Sequence, residues 1–164
     1  MYIHQLFLSL SLPSTLFPLP QHHITVTVSK KEELFAMEAN YKYMDAAELV
    51  ALLDNSDQCE EVAVIDCRDE DRADGWIRGS IHFPAATQNQ SKHMELASTL
   101  NERGLTIAVF HCALSQVRGP RAAGRFADAL RALNLQAPRV YVLRGGFEHF
   151  HAMYADSRPD LLCC

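Results

Sequence analysis

Three short runs of this chain are almost wholly apolar: 62–65 (VAVI), 106–110 (TIAVF) and 140–143 (VYVL). A strand with one wet face alternates apolar and polar residues, so a strand apolar throughout must be covered on both sides. Between the runs the apolar residues switch to a helical period. Residues 45–54 open on Asp45, a candidate N-cap, and residues 91–103 stop at Gly104. Residues 120–133 place Pro120 in the first turn, where a missing N–H does no harm. Arg144-Gly145-Gly146 follows the last run and leads into an aromatic helix through Tyr154. Phe147, Phe150 and Tyr154 share helical spacing and are predicted core residues. His149 and His151 lie two apart, face different sides and make poor joint ligands. The pattern predicts an α/β chain: a central parallel sheet with helices on both faces. Ligand sites of such sheets gather at the carboxyl edge of the strands.

The 164 residues have room for a single core. The first 29 contain no Lys, Arg, Asp or Glu but do contain Pro13, Pro18 and Pro20; ordinary composition begins at 30–33 (KKEE). Residues 1–36 are therefore expected to be an N-terminal extension, disordered or translated from an early start, with Met37 opening a domain over 37–164. A real strand at 24–28 (ITVTV) is the alternative. A secretory leader fits less well, since the segment lacks a basic start and a small-residue cleavage site. A net charge of −5 argues against nucleic-acid binding, which needs a basic face. No window of about twenty apolar residues is present to span a membrane. Five cysteines (Cys59, Cys67, Cys112, Cys163, Cys164) form no disulfide or metal framework and point to a reducing compartment. A cytoplasmic location is expected, with the nucleus as the alternative.

The chemistry concentrates at 111–118 (HCALSQVR). Cys112 comes directly off an apolar strand, and a helix opens a few residues later. Backbone N–H groups of such a loop can point inward as an anion nest at the helix N-terminus. Arg118 adds a planar fork able to hold two oxyanion oxygens. The same positive surroundings favour a cysteine thiolate. A nucleophile inside an oxyanion cradle suits in-line attack on tetrahedral phosphorus or arsenic. A buried structural cysteine beside a surface arginine is the bland alternative, and the strand-to-helix context weighs against it. His111 either polarises the thiolate through the loop backbone or merely packs before it; its role is supporting. Residues 69–71 (DED) read as a solvated turn, with one carboxylate acting as an acid near the cleft as the alternative.

The loop, with 65–84 (IDCRDEDRADGWIRGSIHFP) and 140–147 (VYVLRGGF), resembles the rhodanese fold. Within it, the chain looks most like arsenate/antimonate reductases related to the cell-division-cycle dual-specificity phosphatases, particularly the protozoan members. The resemblance implies a single rhodanese-like domain with Cys112 as nucleophile and Arg118 as oxyanion clamp. Ala113, Leu114, Ser115, Gln116 and Val117 would supply loop amides. Asp66 would lie at the base of the site, holding loops together. Cys67 sits at the neighbouring strand end in an Asp-Cys-Arg triplet that the phosphatases share; there its cysteine captures the oxidised nucleophile. Packing is the expected role of Trp76, which stands where rhodaneses usually carry a histidine.

Sulfurtransferases of this fold have a loop one residue shorter than Cys112–Arg118, which disfavours sulfur transfer. The implied activity is thiol-dependent reduction of arsenate, and of antimonate. It needs no bound cofactor and takes glutathione with glutaredoxin as external reductant. A phosphotyrosine or dual-specificity phosphatase acting on a phosphoprotein is the alternative, and a non-catalytic binding module is a further one. Two departures from the family matter. The loop lacks the acidic residue of the phosphatases, and Cys163-Cys164 cannot supply the four-ligand zinc site of the plant reductases, so no metal is expected.

Overall fold

The computed structural model describes residues 40–163. In chain order the elements are β1 (Lys42–Met44), α1 (Ala46–Asp54), β2 (Val62–Asp66), β3 (Trp76–Ile77) and β4 (Ile81–His82). Then come α2 (Gln90–Glu102), β5 (Ile107–His111), α3 (Arg118–Ala132), β6 (Arg139–Leu143), α4 (Gly146–Tyr154) and β7 (Leu162–Cys163). The expectations for residues 1–36, for a strand at 24–28 and for a domain start at Met37 lie outside the described residues.

The three apolar runs become β2, β5 and β6, the middle of a five-stranded parallel sheet of order β1-β6-β5-β2-β4. Their alternate residues feed two cores. Ala63, Ile65, Ala108, Phe110, Val140 and Val142 join one cluster with Ala97 of α2 and Phe126 of α3. Val64, Ile107, Val109 and Leu143 join the other with Leu49 of α1 and Phe147 and Phe150 of α4. The sheet is covered on both faces, as the unbroken apolar runs require.

Four short strands were not legible in the sequence. β1 and β4 add to the sheet edges, and β3 pairs antiparallel with β7, Trp76 opposite Cys163. Each has only two or three residues, too few for any periodicity to register. Trp76 also carries the Arg72 guanidinium 4.5 Å above its ring. Helix starts are set locally. The Glu48 side chain accepts from the Asp45 amide at 2.8 Å, and Asn89 accepts from the Lys92 amide at 2.9 Å.

His93 on α2 is buried, its ring 5.0 Å from that of Phe83, and neither ring nitrogen has a partner. Burial, helped by Arg125, pushes this imidazole down to about 4, and burial does the same to His111 despite the nearby Asp66 carboxylate. Both are neutral in the folded chain at pH 7. Below about 6.5 the unfolded chain binds a proton at each, which the folded chain resists until about 4. Stability is therefore full above pH 6.5 and lost as pH falls toward 4, by up to about 1.4 kcal/mol per pH unit for each imidazole. Urea titrations between pH 7 and 4.5 are expected to show this decline, and His93→Leu to remove about half of its slope. A flat profile in the wild type would contradict it.

Candidate active site

Cys112 directly follows the last residue of β5, and Arg118 is the first residue of α3, so the loop between them leaves the carboxyl edge of the sheet. The Cys112 side chain is buried, while Leu114 and Val117 are 47% and 58% exposed. Ser115 takes a left-handed conformation (φ +51°), and its Oγ accepts from the Cys112 amide at 3.4 Å. The loop is fixed from outside by the first turn of α4. The Phe147 amide donates to the Cys112 carbonyl at 2.9 Å, and the Glu148 amide donates to that of Ala113 at 3.0 Å. In a trans peptide N–H and C=O point oppositely. Turning these two carbonyls toward α4 therefore turns the Ala113 and Leu114 amides away from it.

That arrangement explains the glycine pair. Gly146 has φ +65°, and a Cβ there would collide with the carbonyl oxygens of Cys112 and Ala113. Only glycine lets α4 approach closely enough to hold the loop. In the sequence Arg144-Gly145-Gly146 reads only as a strand-to-helix turn, because the carbonyls that Gly146 clears lie more than thirty residues earlier.

Below the loop, Asp66 is fully buried. It accepts from the Arg68 amide at 3.0 Å, from Arg68 Nη2 at 2.8 Å and from Arg72 Nε at 3.2 Å. Burial pushes its carboxyl up, but the hydrogen bonds and the charge of Arg68 win and hold it below the ordinary carboxylate range. Arg68, also buried, reaches the carbonyls of Asp71 (3.2 Å) and Gly75 (2.6 Å) and lies 3.8 Å from the Phe147 ring centre. This knot ties the end of β2, the following turn and α4 together. Its keystone is Arg68, which the sequence shows only as the last residue of the Asp-Cys-Arg triplet; an arginine two residues past an apolar strand is the available signal of this role.

His111 is buried with Nδ1 3.9 Å from Asp66 Oδ1 and 3.5 Å from the Cys112 carbonyl oxygen. Being neutral, it offers packing and one polar contact rather than a charge. Cys67 is also buried. Asp66 and His111 are register partners across β2 and β5, and the Cys67 amide donates to the His111 carbonyl at 2.7 Å. Cys67 and Cys112 thus follow paired residues at adjacent strand ends. Burial pushes the Cys67 thiol well above its usual range.

Arg118 does not lie free beside the loop. Its Nη1 donates to Asp69 Oδ2 at 3.2 Å and to Asp71 Oδ1 at 2.8 Å, and its Nη2 to Asp71 Oδ2. The acidic turn is solvated as expected, with Glu70 and Asp71 exposed, and its Asp69 and Asp71 are also the guanidinium's partners. Two concavities of about 570 and 470 Å³ contain none of Cys112, Arg118, Asp69 or Asp71. Among the described residues no cluster of three His, Cys, Asp or Glu side chains forms a metal site, and no helix is long and apolar enough to cross a membrane.

A doubly covered parallel sheet with a cysteine loop and an arginine-headed helix at its carboxyl edge defines the class. The Rhodanese-like domain family matches residues 45–153, and the chain belongs to that family. It is similar in structure to the As-Sb reductase from Leishmania major, with 51% identity, a TM-score of 0.73, and 74% of this chain and 84% of that one covered. It is 37% identical to arsenate reductase 2.2 of Oryza sativa subsp. japonica, over 77% of this chain and 92% of the relative. It is 33% identical to the CDC25-like phosphatase YCH1 of Saccharomyces cerevisiae, over 74% of this chain and 94% of the relative.

Proposed function

We propose that this protein is a thiol-dependent arsenate reductase, acting also on antimonate, that works without a bound cofactor in the cytoplasm. The observation that carries the reading is the loop itself. Cys112 stands at a strand end, amides are turned to one side by α4, and Arg118 heads the next helix, on a chain 51% identical, over 74% of its length, to an As-Sb reductase. The Cys112 thiolate attacks pentavalent arsenic, forming an S–As bond while one oxygen takes up protons and leaves as water. A glutathione thiolate then attacks the Cys112 sulfur. The S–As electron pair passes to arsenic, which leaves as the trivalent product, and Cys112 remains as a mixed disulfide. Glutaredoxin reduces that disulfide. Two electrons reach arsenic and two thiols become one disulfide, so the cycle balances. Loop amides and Arg118 hold the oxyanion's charge as the bond forms.

A phosphatase reading shares every group except the external thiol. Exposed Leu114 and Val117 favour it, because an apolar rim beside the nucleophile suits the aryl group of a phosphotyrosine in a phosphoprotein. Comparing kcat/KM for arsenate with glutathione and glutaredoxin against that for a phosphotyrosine analogue tests the order of the two. Arsenate reduction is expected to dominate. Turnover of the phosphate ester without arsenate reduction would reverse the assignment.

The neighbouring strand ends support Cys67 as the partner that protects an oxidised nucleophile. Peroxide converts a thiolate to sulfenic acid; the Cys67 thiol condenses with it, releasing water and leaving a disulfide. Peroxide-treated wild type is expected to regain activity with added thiol, and Cys67→Ser to recover poorly. Equal recovery would rule the role out.

A further inference from the structure

We propose that Asp71, backed by Asp69, is an internal anion that holds Arg118 until the substrate oxyanion displaces it, and thereby sets oxyanion affinity. The inference rests on the reading of the Cys112–Arg118 loop as an oxyanion site. Asp71 meets both terminal nitrogens of Arg118, the same two-toothed grip a guanidinium uses on arsenate or phosphate oxygens. The same N–H groups cannot serve the carboxylate and the substrate at once. Asp69 adds a third bond to Nη1.

The two carboxylates are the fixed side of this contact. Asp69 Oδ1 accepts from the Ala86 amide at 2.8 Å, and Asp71 Oδ1 accepts from the Asp69 amide at 2.9 Å. The turn that carries them is anchored by buried Arg68 on the Asp71 and Gly75 carbonyls and by Arg72 on Asp66. Arg118, about a third exposed and on a long flexible stem, is the side free to move. Arg118 also holds the Asp71 carboxyl down to about 2, so the competing charge is present at neutral pH.

The contact sorts ligands by charge. Arsenate and phosphate are anions at neutral pH and can replace Asp71 on the fork. Arsenous acid, the trivalent product, is uncharged there and cannot. Reduction removes the charge that kept Arg118 on the ligand, so Asp71 reclaims the guanidinium as product leaves. A partly exposed ion pair shifts such an equilibrium by a factor of roughly 1.4–5, and two of them by somewhat more. The carboxylates therefore tune affinity without closing the site.

The test uses Asp71→Asn and Asp69→Asn in the full chain, since each asparagine keeps the Oδ1 that accepts the turn's own amide. Calorimetry with inorganic phosphate and steady-state kinetics with arsenate are the two readouts, and thermal melts confirm folding. Asp71→Asn is expected to lower the phosphate Kd and the arsenate KM by about 1.4–5-fold, with the change in KM rather than kcat. Asp69→Asn is expected to do so by less. Unchanged or weaker phosphate binding in folded Asp71→Asn would overturn the proposal. Tighter phosphate binding in a chain that does not reduce arsenate would keep the proposal and remove the reductase reading. No phosphate binding by any form would remove both.

Discussion

Cys112→Ser is expected to abolish arsenate reduction while leaving the fold intact. The exchange replaces one buried sulfur by an oxygen at a strand end whose backbone contacts, to Ser115 Oγ and the Phe147 amide, involve no Cys112 side-chain atom. A melting temperature close to wild type is therefore predicted. Activity is lost for two separate reasons. A serine hydroxyl stays protonated where a thiol ionises. Even an alkoxide that attacked arsenic would fail, because oxygen cannot accept the glutathione thiolate and release electrons to the metalloid. Arg118→Ala is expected to lower kcat/KM at least about 100-fold, the scale of removing one oxyanion donor. Arg118→Lys restores the charge but not the fork, and falls between. Substantial arsenate reduction by folded Cys112→Ser would end the account.

Gly146→Ala is expected to be the most damaging single methyl group in the domain. Its Cβ would strike two backbone carbonyls, those of Cys112 and Ala113, neither of which is a flexible side chain able to swing away. The left-handed backbone at φ +65° adds strain of its own. Strain of this kind costs roughly 1–3 kcal/mol, and overpacking a similar amount, so a loss of at least about 2 kcal/mol is predicted. Relief can come only by moving α4 away from the loop, which frees the two carbonyls and misplaces the amides. A displacement of about 1 Å is enough to cost on the order of 100-fold in rate. Gly104→Ala is the control, since Gly104 also has positive φ (+72°) but a Cβ there meets nothing within 4 Å. It reports backbone strain alone. Equal stability and activity for the two variants would show that the contact with the loop does not matter.

The parallel core and the nucleophile's position were readable because they are written in consecutive residues. Unbroken apolar runs at β2, β5 and β6 demand a doubly covered sheet, and a cysteine at the end of one of them falls at the carboxyl edge. The helices over 91–103 and 120–133 were placed within two residues at their starts, since Gly104 and Pro120 mark stop and start by backbone chemistry. What stayed hidden depends on contacts far apart in the chain. Arg118 finds Asp69 and Asp71 across 49 and 47 positions, a pairing that no local pattern encodes. Gly146 is needed because of carbonyls more than thirty residues earlier, and β3 exists only because β7 returns to it at the far end of the described chain. Phe147, Phe150 and Tyr154 were expected in the core; the two phenylalanines are buried, and Tyr154 packs against the cluster at its margin.

The most direct test of the mechanism is a single turnover. Fully reduced protein is mixed with arsenate and glutathione in the absence of glutaredoxin, quenched with acid and an alkylating agent, and mapped by mass spectrometry while arsenite is counted. The account predicts one arsenite per chain and glutathione disulfide-bonded to Cys112, with Cys59 and Cys163 alkylated. Arsenite released while Cys112 is recovered free, or with glutathione on another cysteine, would contradict it.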